Sequence, residues 1–386
     1  MTESQNSSAP SAFSAVKSRF GRPQLYALLL LAAFAAQCLL QIAVTRLLEE
    51  RGVLIAEPSS AGVPLADRDH SPLVPLIGSV PLRLREAGWA RVPDERFPFL
   101  LFGLLFGASV WYVARRLYGN AGGYFALALY CFSPAMVRQA TRAAPEVLAA
   151  WGFFGAIFAA VAAAHTLYAL PGTLPWPKRW RRVLLLGAAL GLGVGAQYSV
   201  ALAIPVCLVL MMYLAPAGRR LEALAMLSAA VALAATILFL PYIFQPAQFL
   251  RDLVQARLMF SPARVGDHLV ALGTLARLQN PAVLTMLAVA LVTWFGWPRA
   301  RYFGNTAPLV VALVLPLLAP LALAGEPWRL WGPSTALAFL FVGGVFADLL
   351  ETRRRKLVLA LALVLLAACV GWEWQFTFYS ASARHP

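Results

Sequence analysis

Two kinds of side chain in this sequence could carry group-transfer chemistry: carboxylates in close pairs and arginines at the ends of apolar stretches. The carboxylates are Glu49-Glu50, Asp67 and Asp69 beside His70, and Glu146. A carboxylate next to an attacking hydroxyl works as a base, and cations around a departing phosphate hold the charge that builds there. Guanidinium grips phosphate oxygens in a two-pronged fork that lysine cannot copy, which singles out Arg96, Arg138, Arg142, Arg257, Arg264 and Arg329. Each has a plainer role to set against this. Glu49 and Glu50 could be a solvated helix end, Glu146 could answer the positive start of a helix, His70 could be merely hydrated, and some arginines could only snorkel. Asp67 and Asp69 form the densest group, and Asp69, next to His70 and the rigid Pro72 turn, ranks first.

The elements that must position these residues are helices in lipid. Hydrophobic residues make up 60% of the chain and charged ones 13%, against roughly 25% charged in soluble domains. Apolar runs of about 20 residues recur, each long enough to cross about 30 Å of hydrocarbon. Helices satisfy their own backbone groups there. The expected fold is an all-α polytopic bundle of about eleven transmembrane helices. Spans are predicted at Gln24 to Leu48, Phe97 to Leu117, Ala121 to Val137, Glu146 to Tyr168, Val183 to Ala196, Ser199 to Leu214 and Leu221 to Tyr242. Four more follow at Pro281 to Trp297, Ala307 to Ala324, Leu330 to Leu350 and Leu357 to Trp374.

Alternate threading makes every inner loop basic: Arg115-Arg116, Lys178 to Arg182, Arg219-Arg220, Arg299 and Arg301, and Arg353 to Lys356. Only Glu3, Glu222, Asp348 and Glu351 among the acids share that side. The net charge of +15 therefore reflects orientation in the membrane rather than nucleic-acid binding. Residues 1–23 read as a cytosolic tail, 24–376 as the membrane domain, and 377–386 as an extracytoplasmic tail. Two long outer loops, 49–96 and 243–280, are expected to carry short helices lying on the membrane, one over Pro72 to Leu84 and one around Arg251 to Phe260. Cys38, Cys131, Cys207 and Cys369 fall in apolar runs and read as packing residues.

Several separated features arrive in one order between His70 and Ala162. His70-Ser71-Pro72-Leu73 opens a short apolar segment, and Arg96 starts a span ending in Ala114-Arg115-Arg116-Leu117-Tyr118-Gly119. A Gly- and Ala-rich stretch then ends in Phe132-Ser133-Pro134, ahead of a loop with Arg138, Arg142 and Glu146. Gly187 to Gly195 leads into Gln197-Tyr198-Ser199 and Pro205, and Trp328-Arg329-Leu330-Trp331-Gly332-Pro333 comes late. This order resembles the multi-spanning glycosyltransferases of the GT-C fold, in particular the bacterial protein O-mannosyltransferase and lipid A sugar transferase branch.

The resemblance implies transfer of a sugar from a polyprenyl-phosphate donor to a lipid, glycan or protein acceptor outside a bacterial inner membrane, by inverting displacement. It implies an acid of the first outer loop as the catalytic group, Glu146 as a second carboxylate, and Arg138 and Arg329 at the lipid phosphate. Glu49-Glu50 stands where Asp-Glu is typical, so Asp67, Asp69 or a non-catalytic chain are open alternatives, and Gln197 replaces a lysine usual after the glycines. The residues point to no definite cofactor and leave a divalent cation open, for which Glu146 or Asp69 would be the ligand. A flippase or transporter of lipid-linked intermediates is the competing class. It would need charged residues inside spans or paired broken helices, whose nearest candidate is Gly191 to Tyr198.

Overall fold

The computed structural model describes residues 22–50, 72–87, 95–169, 176–243, 246–259, 280–297, 308–312, 314 and 331–382. Among these the regular structure is entirely helical. The main helices are α1 (Arg22–Glu50), α2 (Leu73–Glu86), α3 (Phe97–Cys131), α4 (Pro134–Ala140), α5 (Glu146–His165), α6 (Trp176–Ala196), α7 (Ala203–Leu214), α8 (Arg220–Phe239), α9 (Pro246–Met259), α10 (Pro281–Gly296), α11 (Trp331–Leu350) and α12 (Arg355–Ser382). The expected helices of both long loops are present as α2 and α9. The four cysteines are buried, as packing residues should be.

Six described helical segments are long and apolar enough to cross a membrane by themselves. This differs from the expected eleven partly because α3 holds two spans. At Gly119 the backbone takes φ 76°, ψ −172°, a region essentially confined to glycine. The chain reverses there, and Tyr130 Oη, from the second arm, donates to Gly103 O in the first at 2.7 Å. Two shorter apolar helices, Tyr198–Leu214 and Pro281–Gly296, correspond to two more expected spans, and the expected span over 307–324 lies mostly outside the described residues.

Helix direction follows from contacts. Phe102 packs on Trp151 and Phe106 on Phe154, with centroids 5.6 and 5.4 Å apart. The first arm of α3 and α5 therefore run in parallel. The glycines of α6 divide between two neighbours. A Cβ on Gly187 would lie 2.8 Å from Ala230 O, so Gly187 and Gly191 seat α8, while Gly193 meets Gly152 of α5. Small residues let backbones approach where lipid provides no hydrophobic push between helices. The glycine run is thus packing surface on a helix continuous to Ala196, and the chain leaves helical geometry only at Gln197 (φ −154°, ψ 121°).

Basic residues gather at one end of the bundle. Arg219 forms a bidentate pair with Glu222 at 2.6 and 2.9 Å and also donates to Leu167 O and Ala169 O. Arg179 lies 3.6 Å from the same carboxylate, and Tyr168 Oη donates to Leu214 O at 2.7 Å. The ends of α5 and α7 and the starts of α6 and α8 therefore meet, as alternate threading requires.

Candidate functional site

At the opposite end, α3 and α5 begin side by side, so Arg96 and Glu146 start adjacent parallel helices. The seven-residue α4 fills the corner before α5. It is seated by buried Pro134, Met136, Val137 and Ala140, and a Cβ on Gly103 would stand 2.6 Å from Ala140 Cβ. Thr141 Oγ1 donates to Arg138 O at 3.2 Å and closes the helix end. This short helix and its turn deliver Arg138 and Arg142 to the start of α5. Arg96, Arg138, Arg142 and Glu146 are all half-buried, and each is engaged by neighbouring groups. Glu146 lies in the first turn of α5, where a carboxylate complements the positive helix end.

The start of α11 closes on the same corner. A Cβ at Gly332 would be 3.0 Å from Gln139 Oε1 and 3.0 Å from Ala150 Cβ. That contact brings the segment following the Trp328-Arg329-Leu330 motif against α4 and α5. The side chain of Gln139 therefore sits between α4 and the start of α11, with its Oε1 buried and without a hydrogen-bond partner among the described residues.

A second polar group lies where α6 and α8 end. Tyr198 and Tyr242 hydroxyls are 3.0 Å apart, and Tyr242 Oη donates to Asp252 Oδ2 at 2.6 Å. Asp252 is only 9% exposed, and Gln197 and Ser199, which flank Tyr198, are buried too. Phe249 packs edge-on against both Phe239 and Tyr242 at 5.3 Å. Helix α9 is thereby latched to the end of α8 by one carboxylate and one ring. Tyr242→Phe deprives the buried carboxylate of its donor, which costs about 1–3 kcal/mol. The expected outcome is a lowered unfolding midpoint in detergent and faster protease cleavage within α9.

Of the candidate residues, Arg96, Arg138, Arg142 and Glu146 lie at one end of the bundle. Asp67, Asp69, His70, Arg264 and Arg329 lie outside the described residues. Glu49 and Glu50 end α1 and Arg257 belongs to α9, with their side chains outside the described set. Among the described residues no three His, Cys, Asp or Glu side chains gather as a metal site, and Glu146 would offer a cation a single carboxylate. Sequence reasoning passed over Asp252, Tyr198, Tyr242 and Gln139 as functional candidates. The signal for Asp252 is its helix face: Leu250, Leu253 and Val254 are 62%, 49% and 66% exposed while the acid turns inward, the reverse of a helix in water.

Comparison with known proteins adds to this geometry. Residues 69–244 match the family model described as dolichyl-phosphate-mannose-protein mannosyltransferase. Among curated proteins none matches. Among solved structures, the crystal structure of the Archaeoglobus fulgidus oligosaccharyltransferase in its apo form aligns over 82% of this chain at 12% identity and a TM-score of 0.47. The chain spans about half the length of that protein, 48%. The family match contains the whole His70 to Ala162 order on which the sequence resemblance stands, and with it α2 to α8. The chain is a helical membrane protein by its apolar helices, and its residues 69–244 are similar to the dolichyl-phosphate-mannose-protein mannosyltransferase family.

Proposed function

We propose that this protein is a glycosyltransferase that moves a sugar from a polyprenyl-phosphate donor to a lipid, glycan or protein acceptor, working at the end of the bundle where α3 and α5 begin. The observation that carries the reading is the family match over 69–244, which takes in the end of the bundle where Arg96, Arg138, Arg142 and Glu146 stand at or before two parallel helix starts. Those residue types suit the reaction. Guanidinium groups take the charge that develops on the departing phosphate, and a carboxylate accepts the acceptor's proton or orients its hydroxyl.

In this reading Asp69 or Asp67 is the base, Glu49-Glu50 the alternative, and Glu146 the second carboxylate. Arg138 and Arg142 hold the phosphate with Arg329, which precedes Gly332 by three residues, and Arg96, Arg257, Arg264 and His70 complete the donor site. The basic end faces the cytosol by the charge rule, and the transfer end faces outward across a bacterial inner membrane. The continuous helix through the α6 glycines favours this over a transporter, which would need its break within the membrane.

The test is transfer from labelled polyprenyl-phosphate sugars in membranes containing wild type, Asp69→Asn, Glu50→Gln or Glu146→Gln. Loss in Asp69→Asn together with Glu146→Gln supports the site, and unchanged transfer in all three rejects it.

A further inference from the structure

A groove runs down the outside of the bundle away from the carboxylate corner. Its walls are the first arm of α3 and α6, its floor is α5, and its volume is about 490 Å³, within the roughly 300–1,000 Å³ of small-molecule sites. The floor is low because it is built from Gly152, Gly155, Ala159 and Ala162, while Leu105 and Leu185 on the walls are 48% and 59% exposed. An apolar trough whose walls face outward in a membrane protein is filled by hydrocarbon.

Its length and ends say which hydrocarbon. From Trp151 to Ala162 the floor covers twelve residues of helix, a rise of about 16 Å, close to half of the ~30 Å hydrocarbon core. Helix α2 packs on both α3 and α6, with Phe99 3.8 Å from a Cβ placed on Gly78, so the carboxylate end is bridged. The other end is lined by Arg182. Nearby, Arg179 and Arg219 share the Glu222 carboxylate, whereas Arg182 has no acidic partner among the described residues. A cation at the headgroup level, at the mouth of a trough one leaflet deep, is complementary to one kind of molecule.

We propose that this groove binds one acyl chain of an anionic phospholipid from the leaflet at the basic end, with Arg182 on the phosphate. The occupant is a resident membrane phospholipid, distinct from the sugar donor, whose phosphate is placed at the opposite end of the bundle. Guanidinium gives a charge-assisted contact to the phosphodiester, and anionic lipids enrich around basic groups at that depth.

The experiment uses the full-length protein in detergent micelles, titrated with phosphatidylglycerol or phosphatidylcholine while thermal unfolding is followed, with retained lipid read by native mass spectrometry. Phosphatidylglycerol should raise the midpoint about 5 °C more than phosphatidylcholine. Arg182→Gln, and independently Ala159→Leu, which fills the floor, should remove most of that difference and about tenfold of the retained lipid. Arg220→Gln, on an arginine outside the groove, should leave both intact. Should Ala159→Leu fail to fold, Arg182→Gln decides the matter alone. Equal stabilisation by the two lipids, full preference kept in Arg182→Gln, or a polyprenyl phosphate retained in place of a phospholipid overturns the proposal. Sugar transfer is not the readout, so this result and the test of the transferase reading stand or fall separately.

Discussion

Under the proposed transferase function, exchange of Glu146 for glutamine should lower the initial rate of sugar transfer by about 100-fold, the order expected when a group that orients or stabilises the reacting atoms loses its charge. The substitution keeps shape and hydrogen-bonding capacity, so what changes is charge at a half-buried position in the first turn of α5. The fold should hardly notice, because a carboxylate at a helix start contributes only about 0.3–1 kcal/mol through the helix dipole. The measurement is therefore a pair: transfer rate from labelled polyprenyl-phosphate sugar, and unfolding midpoint in detergent. Glu222→Gln is the matched control. Its carboxylate pairs with Arg219 and Arg179 at the other end of the bundle, and transfer should be unaffected there. A Glu146→Gln protein that transfers at the wild-type rate removes Glu146 from the site, and a protein that loses rate and folding together makes it a structural residue.

Gly152→Val should be the most damaging single substitution for folding. A Cβ at Gly152 would stand 2.5 Å from Gly193 Cα, 2.7 Å from Gly193 N and 2.8 Å from Ala189 O. All three neighbours are backbone atoms, which cannot rotate away, so α5 and α6 must separate and forfeit their interface. Overpacking costs about 1–3 kcal/mol where side chains can adjust, and about 3 kcal/mol or more is expected where they cannot. The unfolding midpoint and the yield of folded protein in detergent both register it. Gly218→Ala, at a site with nothing within 4 Å of the added Cβ, should leave both unchanged. If Gly152→Val folds as well as wild type, the close α5–α6 contact is not what holds these helices together.

The pattern of apolar runs is enough to read a helical membrane bundle, because lipid leaves the backbone few other options. The charge pattern is enough to pick out loops that belong together, and the Arg179–Glu222–Arg219 cluster gathers those that alternate threading puts on one side. The order from His70 to Ala162 is enough to read the family resemblance, and it lies within the stretch that matches the mannosyltransferase family model. These are properties of composition, period and succession along the chain. Local physics also makes α2 and α9 legible, since both are short apolar stretches with breaks and charges that forbid a full crossing.

Convergence is out of reach of such reading, since it depends on how helices pack against one another. Arg96 and Glu146 are fifty residues apart, and only the parallel packing of α3 on α5, through Phe102–Trp151 and Phe106–Phe154, sets them side by side. Asp252 reads along the chain as one more charge of an outer loop, and it is Tyr242 and Phe249 that turn it inward. The glycines of α6 read as a possible break, and only their partners, Ala230 on one face and Gly152 on the other, show them as packing surface. Composition and residue order thus suffice for the kind of solvent this chain lives in and the family resemblance it carries. Which of its charged groups meet is a matter of packing, because side chains distant along the chain become neighbours only through the angles and offsets at which helices touch.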